Sequence, residues 1–269
     1  MAAGVISGLN VAYQLEGPIG APVVMFGNGL ATAIAMWQPQ AEHLTGRYRV
    51  LRYDIRGHGG TAASPAPYTL EQLADDAAAL LEFLGIGRAA YVGLSLGGEI
   101  GQVLAVRHAA RVERLVLCDT TLRNRRSMWT ARIAAVEAEG LEPQLEPAME
   151  RWFTPRFRLG HPALVEAMRR MVRATSVEGY LGCAMAMRDA RLEPLAGRIS
   201  QPALVVTGEK DLSTPPDEAG LLHRAIAGSQ LAVIEDAAHL PNIEQETRFN
   251  ALIDEFLATQ AEPPCPTTP

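Results

Sequence analysis

Short apolar runs alternate along the chain with amphipathic segments of helical period. The segment that begins at Thr69 is an example, because Leu70, Leu73, Ala77 and Leu81 recur on one helical face. Runs with the length of a buried strand occur at residues 5–16, 21–26, 48–53, 89–92, 114–118, 203–207 and 231–234. Strands that alternate with helices predict an α/β fold, with a mostly parallel central sheet and helices on both faces.

The alternation of strands and helices is interrupted once, between residues 120 and 198. Only helical patterns occur there, at residues 127–139, 143–152, 162–174 and 177–190. A segment inserted at the carboxyl end of a parallel strand lies over the ligand-binding edge of the sheet. We therefore predict a core of residues 1–119 and 199–259 and an all-helical cap of residues 120–198, inserted after the strand that ends at Cys118. The proline-rich residues 260–269 are predicted to form a disordered tail.

A serine flanked by glycines lies between a predicted strand and a predicted helix. The stretch Gly93-Leu94-Ser95-Leu96-Gly97 has the Gly-x-Ser-x-Gly spacing of a nucleophile elbow, a sharp turn that exposes the serine hydroxyl at the carboxyl end of a strand. Glycines at these positions let the strand and the helix approach closely. The motif alone is common by chance, but its position between strand and helix favours Ser95 as a nucleophile.

A nucleophilic serine needs a base that takes its proton, and the chain order on this type of fold is serine, acid, histidine. His239 follows the strand at residues 231–234 and is the predicted base. His58 lies in an Arg-Gly-His-Gly turn after another strand, and we predict that it packs and bonds a loop near the site.

The base must be oriented by a carboxylate, for which the sequence offers three candidates. Asp211 follows the strand at residues 203–207 and precedes His239, so it is the predicted acid. Asp119 directly follows its own strand and is the main alternative. Glu209 is a weaker alternative in the same loop as Asp211.

Two main-chain N–H groups are predicted to form an oxyanion hole, those of Leu96 after the nucleophile and Leu30 in the loop after the strand at 21–26. In the cap, Trp129 and Arg132 are three residues apart and share a helix face. Arg132 could pair with a substrate carboxylate while Trp129 covers the apolar part of the substrate. Ordinary helix packing is an equally good explanation of this pair.

The net charge of −6 argues against nucleic-acid binding. Residues 120–198 contain 13 arginines and nine acidic residues, a net charge of +4, whereas the rest of the chain has a net charge of −10. This division suggests capture of an anionic substrate under the cap, although arginines on solvated faces would give the same count. The three cysteines lack metal-type spacing, and no signal-type or membrane-spanning segment is found. We predict a cytoplasmic enzyme without metal, organic cofactor, nucleic-acid or membrane partner.

Taken together, these motifs resemble the α/β-hydrolase superfamily up to about residue 259. More narrowly, the chain is similar to the 3-oxoadipate enol-lactonases of bacterial aromatic degradation. The stretches that carry the narrower resemblance are residues 28–32 with Met36-Trp37, residues 93–98, 150–155, 174–180 and 238–244. The family commonly has Ser-Leu-Gly where this chain has Gly29-Leu30-Ala31, a departure that affects the expected substrate more than the expected reaction.

The resemblance implies a serine hydrolase that opens 3-oxoadipate enol-lactone to 3-oxoadipate through an acyl-enzyme. A carboxylesterase or lactonase with a different small-molecule substrate is the first alternative. A non-catalytic binding protein on the same fold is the second. Such proteins often lose part of the triad, whereas this chain has candidates for all three members, at Ser95, Asp211 and His239.

Overall fold

An eight-stranded sheet forms the centre of the structure, a computed structural model that describes residues 2–258. The strand order is β1-β2-β4-β3-β5-β6-β7-β8. Strands β3 to β8 run parallel to one another, while β2 is antiparallel to both β1 and β4. The predicted α/β fold class is confirmed. The strands are β1 Ala2–Ile6, β2 Leu9–Glu16, β3 Val23–Gly27, β4 Arg49–Tyr53, β5 Ala89–Leu94, β6 Val112–Cys118, β7 Ala203–Gly208 and β8 Gln230–Ile234.

The first apolar stretch differs from the prediction of one strand over residues 5–16. It forms the hairpin of β1 and β2, in which Ile6 pairs with Leu9 across a two-residue turn. Both turn residues have positive φ, 49° at Ser7 and 81° at Gly8. A two-residue hairpin of this kind needs positive φ, which Gly8 adopts at little cost.

Helices connect the strands. Every helix from α4 to α9 lies between β6 and β7, within the segment predicted to be the cap, and we call residues 120–198 the cap segment. The predicted tail of residues 260–269 lies outside the described residues. The helices are α1 Gln38–Leu44, α2 Leu70–Phe83, α3 Leu96–Arg107, α4 Arg126–Glu139, α5 Leu145–Trp152, α6 Pro155–Gly160, α7 Pro162–Ala174, α8 Val177–Asp189, α9 Glu193–Ala196, α10 Pro216–Ala225, α11 Pro241–Glu244 and α12 Glu246–Ala258.

Glycines allow α3 to pack closely against the strands that precede it. A Cβ at Gly93 would overlap the carbonyl group of Gly97, and a Cβ at Gly97 would overlap the carbonyl group of Gly27 at the end of β3. The first turn of α3 therefore lies directly against the main chain of β3 and β5. This packing brings the loop after β3 next to the elbow.

The cap segment contacts the core through a second pair of glycines. Gly179 on α8 lies against Gly57 in the loop after β4, and a Cβ on either residue would overlap the main chain of the other. Gly182 lies one turn further along α8 and packs against the ring of Tyr68. Side chains at positions 57 and 179 would separate α8 from the core.

None of the helices among residues 2–258 combines the length and the apolar character that a membrane crossing requires.

The Gly179→Ala variant should be less stable than the wild type, because its methyl group has no space beside Gly57. Overpacking of this kind typically costs about 1–3 kcal/mol, whereas alanine gains roughly 1 kcal/mol over glycine inside a helix. Because the overlap is with main-chain atoms of Gly57, which cannot move aside as a flexible side chain can, we expect the larger cost. Urea unfolding monitored by circular dichroism measures the change in free energy of unfolding.

Gly197→Ala is the matched control, because Gly197 has a helical φ of −68° and no atom near its Cβ position. If Gly179→Ala were at least as stable as both the wild type and Gly197→Ala, α8 would not depend on this contact.

Candidate active site

Ser95 lies at the turn between β5 and α3 with the backbone of a strained elbow. Its φ is 56° and its ψ is −115°, a region that residues other than glycine rarely adopt. The neighbouring strand holds this conformation, since Ser95 N–H donates to the Cys118 carbonyl at 2.9 Å. The Thr120 hydroxyl also donates to the Ser95 carbonyl at 2.9 Å. The side chain is partly exposed and lines a cavity to which residues of the core and of the cap segment both contribute.

The hydrogen-bond ladder of the parallel sheet continues into the loops that carry the site. Asp119 N–H donates to the Val206 carbonyl, and Glu209 N–H donates to the Ile234 carbonyl, each at 2.9 Å. The residues just beyond β5, β6, β7 and β8 are therefore held at one edge of the sheet. Their spacing follows from strand pairing and not from loop flexibility.

His239 and Asp211 lie together at this edge. His239 Nδ1 is 2.8 Å from Asp211 Oδ2. Because a carboxylate only accepts, this bond places the His239 proton on Nδ1 and leaves Nε2 as a base. Ser95 and His239 line the same cavity. No hydrogen bond joins Ser95 Oγ to His239 within residues 2–258, and such bonds often tighten only when substrate is bound.

Asp211 is a buried carboxylate with several hydrogen-bond donors. The N–H groups of Ser213 and Thr214 donate to Oδ1 at 2.7 and 3.2 Å, and the Thr214 hydroxyl donates to Oδ2 at 2.7 Å. Burial alone raises the pKa of Asp211, but the contacts of His239, Thr214 and Ser213 bring that pKa below its ordinary value. Asp211 is thus held in the ionised form that orients an imidazole.

Asp119, the main alternative acid, lies beside this pair but does not form the bond to His239. Its Oδ1 accepts from Gly208 N–H at 2.8 Å. Burial, followed by the charge of Asp211, raises the pKa of Asp119 well above its ordinary value. Nitrogen and oxygen atoms of Asp119, Asp211 and His239 lie within 4.8 Å of one another, the one group of three possible metal ligands among residues 2–258. Glu209 is exposed and accepts from Asp236 N–H instead.

One predicted oxyanion donor, Leu96, belongs to the elbow, and the other, Leu30, lies in the loop after β3. Leu96 is the first residue of α3, so its N–H has no partner within the helix and points out of the amino end. Leu30 follows Gly29, whose Cα is so close to Ser95 that a Cβ on it would lie 3.7 Å from the Ser95 Cβ. Both Leu30 and Ser95 line the cavity.

His58 supports the loop that carries Leu30. Ala31 N–H donates to His58 Nε2 at 3.0 Å, and His58 Nδ1 is 3.1 Å from the Arg56 carbonyl. These partners require a neutral ring with its proton on Nδ1, in keeping with a pKa that burial lowers to about 4. Ala31 itself has a φ of 62°. Asp54 holds the far end of the loop by accepting from Ile34 N–H at 2.8 Å.

Four arginines of the cap segment line the cavity, Arg123, Arg125, Arg132 and Arg151. Trp129 and Arg132 both line it, with the Arg132 guanidinium carbon 4.8 Å from the centroid of the Trp129 ring. Arg151 on α5 and Tyr180 on α8 lie beside them. Neither Arg132 nor Arg151 forms an ion pair with a carboxylate within residues 2–258. Burial, followed by the charge of Arg132, lowers the pKa of Arg151 to about 10.

Sequence reasoning missed several residues of the cavity. Arg151 belongs to a stretch that carried the family resemblance, but the pattern gave it no role. Glu99 carried a stronger signal, because it is a charged residue one turn after Ser95 in a helix whose other positions from Leu96 to Ala105 are buried. Its side chain also lines the cavity and is 1% exposed.

Comparison with known proteins agrees with this geometry. A family model described as an alpha/beta hydrolase fold matches residues 22–246. The 3-oxoadipate enol-lactonase 2 of Acinetobacter baylyi is 36% identical over 243 residues, which cover 90% of this chain and 91% of that protein. The crystal structure of the enol-lactonase from Burkholderia xenovorans has a TM-score of 0.94 at 37% identity, covering 96% of this chain and 100% of that one.

A thermophilic esterase from Thermogutta terrifontis, solved with malate bound, has a TM-score of 0.88 at 31% identity and covers 95% of this chain and 97% of its own. These similarities confirm the predicted family resemblance and the prediction of a hydrolase of the carboxylic-ester class, so a non-catalytic role is not retained. With a family match over residues 22–246 and relatives more than 30% identical over most of its length, the chain belongs to the α/β-hydrolase family.

Proposed function

We propose that the enzyme hydrolyses a carboxylate-bearing enol-lactone, 3-oxoadipate enol-lactone, to 3-oxoadipate. The observation that carries this proposal is the pair Arg132 and Arg151, which face the cavity of Ser95 without a carboxylate partner among residues 2–258. An enzyme with this cavity favours an ester or lactone that supplies the missing negative charge. The names of the relatives in Acinetobacter and Burkholderia support the choice of lactone.

In the proposed reaction, Ser95 Oγ attacks the lactone carbonyl carbon while His239 Nε2 takes the hydroxyl proton. Asp211 holds the imidazole in the tautomer that its 2.8 Å bond selects and stabilises the imidazolium that forms. The N–H groups of Leu30 and Leu96 stabilise the negative charge on the carbonyl oxygen. Removing one such donor typically costs about 3 kcal/mol of transition-state stabilisation.

Collapse of the tetrahedral intermediate breaks the ring C–O bond and leaves the acyl group on Ser95. The leaving group is an enolate that remains attached through the acyl chain. It takes a proton from His239 and tautomerises to the ketone, which favours ring opening. Water then gives a proton to His239 and attacks the acyl carbon, and the Ser95 oxygen leaves with that proton, so that one water is consumed for each lactone opened.

The cap residues bind the other end of the substrate in this proposal. Arg132 and Arg151 pair with the substrate carboxylate, and the guanidinium groups can do so bidentately. The Trp129 ring covers the apolar part of the lactone. We also propose that the enzyme acts in bacterial aromatic degradation, in the cytoplasm.

A second candidate is an esterase or lactonase for another small carboxylate. The thermophilic esterase with malate bound supports it, because that enzyme shares the fold at 31% identity. Rates on the enol-lactone and on a panel of carboxylate-bearing esters, with product identification, separate the two candidates.

Ser95→Ala should abolish enol-lactone hydrolysis. Loss of the nucleophile in serine hydrolases lowers kcat by about 10⁴-fold or more. Turnover is measured with purified protein, with Ser127→Ala as the control because Ser127 is an exposed serine on α4. Retention of most of the turnover by Ser95→Ala would reject the acyl-enzyme mechanism.

Asp211→Asn and Asp119→Asn should behave differently although both remove a buried carboxyl. An amide at position 211 donates to Nδ1 and selects the wrong imidazole tautomer, which lowers kcat by about 10⁴-fold in a comparable triad. An amide at position 119 resembles the protonated carboxyl, and its oxygen can still accept from Gly208 N–H. Its kcat should stay near that of the wild type, and the reverse order of effects would make Asp119 the acid.

Arg132→Ala should weaken binding of carboxylate substrates selectively. Loss of a hydrogen bond to a charged group costs about 1.5–3 kcal/mol, which corresponds to roughly 10- to 100-fold in kcat/KM. The comparison uses an ester substrate that carries a free carboxylate and the same substrate with that carboxylate blocked as a neutral methyl ester. Arg126→Ala is the control, because Arg126 lies on the same helix and pairs with Asp189 at the surface. An unchanged preference for the acid in Arg132→Ala would remove Arg132 from carboxylate binding.

A further inference from the structure

Glu99 is a buried carboxyl group in the cavity that the proposed reaction does not use. Its N–H donates to the Ser95 carbonyl at 3.0 Å, so it lies one helical turn after the nucleophile. The side chain is 1% exposed and lines the cavity. Burying a carboxyl is costly unless its hydrogen bonds are made. The bond it makes is therefore informative.

A chain of two hydrogen bonds connects Glu99 to the cap segment. Asn124 Nδ2 donates to Glu99 Oε2 at 2.9 Å, and Trp129 Nε1 donates to Asn124 Oδ1 at 3.0 Å. An indole N–H only donates, so Asn124 must turn its oxygen to Trp129 and its NH₂ group to Glu99. Each bond thereby determines the orientation of the next side chain.

Beyond Trp129 this path reaches Arg132, the arginine that we assign to the substrate carboxylate. The Arg132 guanidinium carbon lies 4.8 Å from the centroid of the Trp129 ring, within the distance of a cation–π interaction. The orientation of the indole plane therefore fixes the surface on which the guanidinium rests. The path runs from α3 through Asn124 to α4.

Glu99 accepts the hydrogen bond from Asn124 without placing a negative charge in the cavity at neutral pH. Burial raises the pKa of Glu99 to about 8, so the neutral acid predominates below that pH. The neutral acid still accepts from Asn124 through a carboxyl oxygen. An anionic substrate then meets the charge of Arg132 without an opposing carboxylate at this position.

We propose that Glu99 is a positioning residue for substrate binding, which holds the Arg132 guanidinium in place through Asn124 and Trp129. The inference rests on the proposed function, since it assigns Arg132 to the substrate carboxylate. Glu99 sets the affinity for that carboxylate and leaves the chemistry at Ser95 unchanged. A group that holds a binding residue alters KM, whereas a group in the reaction alters kcat.

Two variants of Glu99 test the inference against each other. Glu99→Leu removes the acceptor and should raise KM for a carboxylate ester by about tenfold, the effect of one hydrogen bond to a charged group. Its kcat, and both constants for the neutral methyl ester, should stay near the wild-type values. Glu99→Gln keeps an oxygen that accepts from Asn124 and should behave like the wild type. A Glu99→Gln variant as impaired as Glu99→Leu, or an equal loss on both esters, would overturn the inference.

Trp129→Phe provides the test if Glu99→Leu does not fold. It removes the indole N–H and leaves a smaller aromatic ring under Arg132, so KM for the carboxylate ester should rise more than KM for the neutral methyl ester. An unchanged KM in this variant would show that the chain does not position Arg132.

The double variant Glu99→Leu with Arg132→Ala separates failure of this inference from failure of the proposed function. Its KM for the carboxylate ester should equal that of Arg132→Ala alone, because Glu99 acts through Arg132. Additive effects of the two substitutions would overturn the positioning role. If Arg132→Ala alone leaves the preference for the acid unchanged, the proposed carboxylate site is wrong, whatever Glu99 does.

Discussion

The contact between the first turn of α3 and the end of β3 is the constraint on which the site depends. These backbones are very close because glycines line the contact. A Cβ at Gly93 would overlap the carbonyl group of Gly97, and a Cβ at Gly97 would overlap the carbonyl group of Gly27. Ser95 lies between Gly93 and Gly97 with a φ of 56°, and the same contact places the loop of Leu30 beside it. One packing arrangement therefore determines the positions of the nucleophile and of both proposed oxyanion donors.

Neighbouring carboxyls at the next strand ends have opposite pKa shifts for identifiable reasons. Asp211 has His239, Thr214 and Ser213 as partners, and its pKa is lowered despite burial. Asp119 is buried and faces the charge of Asp211, and its one N–H donor does not offset these effects, so its pKa is raised. Like charges at this distance favour one ionised and one neutral group. These shifts favour the negative charge on Asp211, which bonds to the imidazole, over a charge on Asp119.

The sequence was sufficient to predict the parts of the molecule that depend on local patterns. Strand runs and the order of Ser95, Asp211 and His239 follow from periodicity and from the positions of residues just after strands. The hairpin of β1 and β2 was predicted as one strand, because two turn residues interrupt the apolar alternation too briefly to be recognised. Asp211 and Asp119 could not be separated by position alone, since the choice depends on which carboxyl reaches His239.

The cap side of the cavity was less predictable because it depends on how helices are oriented. Trp129 and Arg132 could be placed on one helix face from their spacing, but the chain from Glu99 through Asn124 links residues on separate elements. Arg151 approaches from another helix again. Such arrangements arise from packing of the cap segment on the core, for which a single sequence carries no periodic signal.

The positive φ of Ala31 has a consequence for the timing of catalysis. An alanine in this conformation is about 1 kcal/mol less stable than a glycine, and the bond from Ala31 N–H to His58 helps to offset that loss. The loop is thus held in its shape by the protein's own groups, His58 and Asp54. In the proposed reaction the main-chain dipoles would already be aligned before any charge develops, so little reorganisation would accompany bond formation.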